Sequence, residues 1–129
     1  LQETLIQDDL VGICSDGSKT GFHPRGHGTF AKVIENYVVQ DSLLSLEKAV
    51  QKMTSYAADI LQLKDRGVLQ VGKKADILIF DPKNVKATAT YVNPHQLAQG
   101  FDMVLVNGKV ARENQQLKTV LSGKVLLPN

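Results

Sequence analysis

A short apolar run that ends in a polar turn most constrains what this chain can fold into. Residues 10–14 (LVGIC) are apolar and partly β-branched, and the sequence SDGS follows at once. This pattern predicts a short buried strand that ends in a tight loop. A parallel strand needs neighbours on both sides, and we expect none within this chain. The first part of the sequence is therefore expected to be the end of a larger structure.

Asp16 lies just past the carboxyl end of the predicted strand. In parallel α/β folds this edge carries the chemistry. Aspartate is also a common turn former, because its side chain bonds the nearby backbone. The position alone favours the turn former, whereas the residues that follow shift the balance towards a catalytic role.

A glycine-rich loop follows Asp16 and contains the sequence FHPRGHG at residues 22–28. His23 and His27 have the spacing of a helical metal pair. The proline and glycines in this stretch disfavour a helix, so we expect loop histidines rather than metal ligands. Arg25 can grip a carboxylate with its planar guanidinium, although its position is equally typical of an ordinary surface arginine.

The middle of the chain predicts three helices. Residues 30–39 carry apolar side chains at helical spacing after Thr29, a plausible N-cap. Ser45 is expected to cap a second helix. A third helix is predicted over residues 56–63, where Ala57, Ile60 and Leu61 are expected to form the buried face.

From Gly67 onward the apolar period changes to that of a small β unit. Residues 77–80 (ILIF) are apolar on both faces, which predicts a central strand of a sandwich. Asn107-Gly108 between apolar runs predicts a hairpin with a two-residue type I′ turn. Residues 123–127 predict one more strand.

Composition excludes several classes of function. The net charge is +2 with scattered Lys and Arg, which argues against a nucleic-acid partner. No apolar run approaches the ~18 residues that a membrane span requires. Cys14 is the single cysteine, so we expect no disulfide, a cytoplasmic location and a small buried core residue at this position.

Seven short blocks cover nearly the whole chain in a fixed order. They are SDGS at 15–18, HPR with GTF at 23–30, SLEKAVQKMTS at 45–55, KDRG at 64–67, ADILIFDP at 75–82, NPHQ at 93–96 and VLVNG at 104–108. In this order they resemble the carboxyl-terminal part of the N-acyl-D-amino-acid deacylases (D-aminoacylases) of the amidohydrolase superfamily. The first two blocks are more specific to that branch, whereas the later ones are shared by many amidohydrolases.

The resemblance implies a fold of class α/β then β. Residues 1–66 would be the last strand and closing helices of a (β/α)8 barrel of the TIM type. Residues 67–129 would be the C-terminal portion of a small β-sandwich. The chain would then be a fragment of a larger chain, and its partners would be the missing N-terminal barrel and sandwich strands of the same protein. The oligomeric state stays open.

The resemblance also implies a zinc-dependent hydrolase of the amide bond in N-acyl-D-amino acids. Asp16 would be the general base and acid, taking a proton from the metal-bound water and returning it to the leaving amine. Arg25, Ser15 and Gly17 would bind the small-molecule substrate. The family's metal-binding Cys and His residues lie on earlier strands. We therefore expect the fragment to be inactive alone and to bind no zinc, with Asp16 as its one candidate for a weak ligand.

Two other functions stay open. A cyclic amide hydrolase of the hydantoinase or dihydroorotase kind would share the superfamily. The loop of Arg25 distinguishes it from the deacylases, because an acyclic substrate with a free carboxylate needs a cation there. A free-standing β-sandwich binding module is the other alternative. It would require residues 10–14 to pair with the C-terminal strands or with a second copy of the chain.

Overall fold

The structure, a computed structural model, describes residues 2–18 and 20–127. Within these residues, helices come first and an antiparallel sheet follows. The helices are α1 (Gln2–Gln7), α2 (Arg25–Lys32), α3 (Leu46–Met53) and α4 (Ser55–Ile60), with a π-helix (Val33–Gln40) continuing α2. The strands are β1 (Ile77–Phe80), β2 (Phe101–Val106), β3 (Lys109–Glu113) and β4 (Gln116–Leu117), with a short 3-10 helix (Pro82–Asn84) after β1. No described helix has the length and apolarity needed to cross a bilayer.

The helix predicted from residue 30 begins earlier, at Arg25, so the expectation of a loop here was wrong. Pro24 takes the N-cap position with φ −60°, where its missing N–H costs nothing. Gly28 is buried, and a Cβ at this position would make an ordinary van der Waals contact with the Cβ of Ala89 at 3.5 Å. Packing of the helix into the core through Ala31 offsets the ~1 kcal/mol that each glycine costs in a helix. His27 consequently lies in the first turn of α2.

The helix cap predicted at Ser45 is confirmed. The Ser45 hydroxyl accepts a hydrogen bond from the Lys48 amide at 3.2 Å, at the start of α3. The third helix is shorter than predicted and turns a different face inward. Ala58 is buried in α4, whereas Ile60 and Leu61 are 63% and 56% exposed. The prediction that those two residues are buried was wrong, because α4 ends at Ile60 and the side chain that it buries is that of Ala58.

Residues 10–14 do not form a strand, contrary to the prediction. Strand pairing needs a neighbouring extended segment, and no described strand pairs with this stretch. Cys14 is exposed rather than buried, which also corrects the prediction.

Residues 8–13 are held by hydrogen bonds with Lys52 of α3, and not by strand pairing. Lys52 is 2% exposed, and its ammonium donates hydrogen bonds to the carbonyls of Asp8 and Val11, the latter at 2.7 Å. The Ile13 amide donates to the Lys52 carbonyl at 3.3 Å. A buried ammonium must find hydrogen-bond acceptors, and these backbone carbonyls supply them. The chain leading to Asp16 is therefore fixed to α3.

The described sheet is antiparallel with the order β1-β2-β3-β4. The predicted hairpin is confirmed: β2 and β3 join at Asn107 (φ 50°) and Gly108 (φ 77°), the pair of positive angles that a type I′ turn needs. β1 pairs only with β2 among the described strands and lies at the edge of their sheet, so the central position predicted for it is not seen within this chain. Residues 123–127 were predicted to be a strand, yet they form none. The strand that pairs with the outer edge of β3 is β4, at residues 116–117.

Two clusters of buried side chains form the core. The first lies among the helices and comprises Ile6, Val33, Leu44 and Ala49. The second joins α2 and the π-helix to the sheet and comprises Ala31, Ile34, Val85 and Phe101. Since both clusters use residues from this continuous helix, its amino-terminal end is held at a defined place. Arg25 is the first residue of that helix.

Candidate active site

Asp16 and Arg25 lie in direct contact. The Arg25 guanidinium Nη2 is 2.5 Å from the Asp16 carboxylate Oδ2. The Asp16 side chain is 84% exposed and that of Arg25 is 50% exposed. Exposed ion pairs of this kind typically contribute only ~0–1 kcal/mol to stability. The contact therefore joins two accessible groups and adds little to the stability of the fold.

The backbone around Arg25 is held by three hydrogen bonds. Its carbonyl accepts from the hydroxyls of Ser15 at 2.9 Å and Thr29 at 2.8 Å. Its amide donates to Nδ1 of His23 at 3.1 Å. Arg25 thus begins α2 with both its amide and its carbonyl occupied, which defines where its long side chain starts.

Gly17 lies against the first turn of α2. A Cβ at this position would lie 2.9 Å from the Cα of Gly26 and 2.9 Å from the Ser15 hydroxyl. Any larger residue would push the loop away from the helix. The close approach leaves a shallow depression of about 340 Å³ beside the loop. Its lining residues are Ser15, Gly17, Ser18, Gly26, His27 and Phe30.

The three histidines do not combine into a metal centre. Among the described residues, no group of three or more His, Cys, Asp or Glu side chains could hold a metal ion. His23 contacts Arg25 and Tyr91, whereas the rings of His27 and His95 lie 5.5 Å apart edge to face. The residues described here therefore do not by themselves fit a zinc site.

Tyr91 and His95 also contact the loop of the candidate site, which their positions in the sequence did not predict. Tyr91 Oη is 3.1 Å from Nε2 of His23, and Nε2 of His95 is 2.9 Å from the Gly21 carbonyl. A second open depression of about 310 Å³ lies along residues 91–96 and Phe22. The NPHQ block at residues 93–96 was a signal in the sequence that this segment matters, but spacing along the chain does not connect it to the loop.

The chain has close relatives among characterised proteins. It is 43% identical over 106 residues to the N-acyl-D-aspartate deacylase of Alcaligenes xylosoxydans xylosoxydans. The aligned residues cover 82% of this chain and 21% of that protein. It matches the crystal structure of a D-aminoacylase with a TM-score of 0.77 and 40% identity, over 81% of this chain and 22% of the other. It also matches the N-acyl-D-glutamate deacylase of Bordetella bronchiseptica with a TM-score of 0.68 and 39% identity, over 73% and 20% of the two chains. That relative was solved in complex with zinc and a phosphonate inhibitor that mimics the tetrahedral intermediate.

The chain corresponds to only a part of each relative. It spans about a fifth of the length of each of them. A family model, described as the amidohydrolase family, matches residues 1–112. Because this match covers most of its sequence, the chain belongs to the amidohydrolase family.

Proposed function

We propose that this chain is part of an enzyme that hydrolyses the amide bond of N-acyl-D-amino acids. Asp16 is its general base and acid, and Arg25 binds the α-carboxylate of the substrate. The contact between these two accessible side chains is the observation that carries the proposal. The relatives, which include an N-acyl-D-aspartate deacylase and a D-aminoacylase, support the substrate class.

Asp16 has the chemistry that proton transfer in amide hydrolysis requires. Its carboxylate is largely exposed and reaches solvent beside the loop. A carboxylate oxygen can take a proton from an attacking water and then give it to the nitrogen of the leaving amine. Within the part of the chain that the structure describes, the ion pair of Asp16 with Arg25 is made through Oδ2, so Oδ1 can accept this proton.

Arg25 can bind a second carboxylate while it contacts Asp16. The guanidinium has five N–H donors in a planar fork, and the recorded ion pair with Asp16 involves Nη2. Half of the side chain is exposed. A substrate carboxylate can therefore approach the remaining donors and form a charge-assisted pair.

Ser15 and Gly17 are proposed to contact the substrate from the same loop. Both line the shallow depression next to Asp16. The Ser15 hydroxyl donates to the Arg25 carbonyl, so it can offer substrate only its lone pairs. The absent side chain at Gly17 keeps the loop close to α2 and leaves room for a ligand.

We further propose that the whole enzyme uses zinc. The support is the related N-acyl-D-glutamate deacylase, which was solved with zinc. Since the described residues of this chain form no metal site of their own, the main ligands would belong to other parts of the enzyme. Asp16 is the one residue of this chain proposed as a weak ligand.

The architecture proposed for the whole enzyme is a (β/α)8 barrel with a small β-sandwich. Residues 1–66 would supply the last barrel strand and closing helices, and residues 67–129 part of the sandwich; residues 1, 19, 128 and 129 lie outside the described residues. The absence of a described partner for residues 10–14, and the free edge of β1, support strand partners elsewhere in the same protein. The single cysteine supports a cytoplasmic location.

Replacement of Arg25 tests the proposed function. In the whole enzyme, Arg25→Ala should lower kcat/KM for an N-acyl-D-amino acid roughly thirtyfold, which corresponds to a charge-assisted pair of about 2 kcal/mol. The matching substrate with a carboxamide in place of the α-carboxylate should lose much less. Steady-state kinetics on both substrates measures the difference.

Lys118→Ala is the matched control, because Lys118 also forms an exposed ion pair, with Glu113 at 3.0 Å. In Lys118→Ala, kcat/KM for both substrates should be unchanged. Equal losses on both substrates in Arg25→Ala would contradict the proposed role of Arg25. Hydrolysis of hydantoins or dihydroorotate without hydrolysis of N-acyl-D-amino acids would favour the cyclic amide hydrolase.

A further inference from the structure

We propose that His23 is a positioning residue for Arg25, and that Tyr91 and His95 hold in place the loop that carries His23. This inference rests on the proposed function, in which Arg25 binds the substrate carboxylate. It assigns a role at the site to the segment of residues 91–95, which follows β1 in the chain and is remote from Asp16 in sequence.

The hydrogen bonds of His23 define its tautomer. Nδ1 accepts from the Arg25 amide at 3.1 Å, so this nitrogen carries no hydrogen. A neutral imidazole then has its hydrogen on Nε2, which faces the Tyr91 hydroxyl at 3.1 Å. Nε2 therefore donates and the Tyr91 oxygen accepts. The two rings also meet edge to face, with centroids 5.1 Å apart.

The contact between His23 and Arg25 defines how α2 begins. The amide of Arg25 belongs to the first turn of the helix, where amides have no partner within the helix. The His23 ring supplies that partner from two residues upstream, as a side-chain cap does. Since Ser15 and Thr29 hold the Arg25 carbonyl, His23 completes the set of contacts that orients the residue.

The segment of residues 91–95 holds the loop at a second point. Nε2 of His95 is 2.9 Å from the Gly21 carbonyl, to which it donates. The ring of His95 also lies 5.5 Å from that of Phe22. Pro94 between these contacts is buried, which anchors the segment to the body of the protein. Residues 91–95 thus contact both His23 and the two residues that precede it, Gly21 and Phe22.

Exposure separates a positioning role from a purely structural one. Tyr91 is 75% exposed and Phe22 is 79% exposed. Contacts between side chains this exposed bury little apolar surface and so add little to the free energy of unfolding. Their main consequence is the placement of the loop and of Arg25.

Variants of the whole enzyme test this inference. His23→Ala should lower kcat/KM for an N-acyl-D-amino acid roughly fivefold, the effect of one lost hydrogen bond, and mainly through a higher KM. The carboxamide analogue should change less than about twofold. His23→Asn should restore most of the loss, because an asparagine oxygen can accept an amide two residues on. Tyr91→Phe should show a smaller loss in the same direction.

A double variant shows whether His23 acts through Arg25. In the Arg25→Ala background, His23→Ala should add almost nothing, whereas independent residues give additive losses. The midpoint of thermal unfolding should stay within about 2 °C of the parent in every variant. The Asn variant keeps the cap, so a folding defect in the Ala variant leaves the inference testable through Asn and through Tyr91→Phe.

The outcomes separate the two proposals. Two results would overturn the positioning role alone if Arg25→Ala lowers kcat/KM as expected. One is a loss of kcat/KM from His23→Ala that adds fully to that of Arg25→Ala. The other is an equal loss from His23→Ala on both substrates. An Arg25→Ala variant that loses equally on both substrates would overturn the proposed function of Arg25, and the role of His23 would fall with it.

Discussion

At the scale of single residues, the candidate site uses accessible side chains on a tightly held backbone. Asp16 and Arg25 are exposed and touch each other, whereas Gly17 is pressed against Gly26 with no space for a Cβ. Ser15 connects the two parts through the Arg25 carbonyl. Such an arrangement keeps reactive groups open to a substrate while limiting their movement.

Replacing Asp16 tests the catalytic assignment at this scale. In the whole enzyme, Asp16→Asn should keep the fold, because asparagine has the same size and can still accept from Arg25. It should lower kcat by ~10²–10⁴, since an amide cannot take up and return the proton. KM should change little, because Arg25, the proposed partner of the substrate carboxylate, is unchanged. Steady-state kinetics measures kcat and KM of the variant, and circular dichroism shows whether the fold is kept.

Asp9→Asn is a suitable control for Asp16→Asn. Asp9 is another exposed aspartate in an ion pair, 2.7 Å from Lys48, and it precedes the site by a few residues. Its replacement should leave kcat unchanged. If Asp16→Asn retained near-normal kcat with a folded and metallated enzyme, Asp16 would be a turn former only.

At the scale of secondary structure, Glu35 ties the π-helix to the segment after β1. Its carboxylate accepts from the Ala87 amide at 2.8 Å and pairs with Lys86 at 3.0 Å. Burial acts to raise the pKa of Glu35, but the hydrogen bond from Ala87 and the Lys86 pair outweigh it and lower the pKa from its ordinary value of 4.5. These contacts stabilise the junction between the helices and the sheet in the charged form of Glu35.

The pH dependence of stability tests this junction. A carboxyl group whose pKa is lower in the folded state contributes its full stabilisation above the unfolded value and loses it as the pH falls through the folded value. Glu35→Gln should therefore be less stable than the parent near neutral pH. The difference should shrink as the pH falls below the ordinary glutamate value of 4.5. Thermal unfolding of the enzyme over this range measures it.

Glu47→Gln is the matched control for Glu35→Gln. Glu47 is exposed on α3, and none of the recorded ion pairs of the described residues includes it. We expect the stability difference of Glu35→Gln from the parent to change more with pH than that of Glu47→Gln. Equal profiles for the two variants would show that the Lys86 and Ala87 contacts do not stabilise the folded state.

At the scale of the whole molecule, much apolar surface lies uncovered. Large side chains with at least three quarters of their surface exposed occur in both the helical and the sheet halves. They are Leu10, Phe22, Leu69, Val71, Tyr91, Val92, Leu121, Val125 and Leu127. Exposed apolar patches commonly mark surfaces that another structure covers. The rest of the enzyme, about four fifths of the length of the relatives, is the proposed cover for these side chains except Phe22 and Tyr91, which line the depression beside the candidate site.

Metal content tests the proposal for the whole molecule. The purified 129-residue chain should hold well under one zinc per chain after dialysis and should not hydrolyse N-acyl-D-amino acids, because its described residues lack a set of metal ligands. The full-length enzyme, prepared in the same way, is the control and should retain zinc. Elemental analysis that finds about one tightly bound zinc in the short chain would contradict the assignment of the ligands to other parts of the enzyme.

Features whose physics acts within a few residues follow from the sequence alone. Ser45 caps α3 because its hydroxyl reaches an amide three residues on. Asn107 and Gly108 form the predicted turn because both tolerate a positive φ. The motif blocks also led from the sequence to the family that the matches show.

Tertiary structure decided what depends on partners distant in sequence. Residues 10–14 are apolar enough for a strand, but a strand exists only where another strand accepts its hydrogen bonds, and Lys52 takes that place here. The helix at Arg25 forms despite Gly26 and Gly28 because its packing into the core through Ala31 offsets their local cost. The hydrogen bond between His23 and Tyr91 spans 68 positions of the chain. Such a contact follows from how the helices and the sheet pack together, because no local pattern specifies which distant side chains will meet.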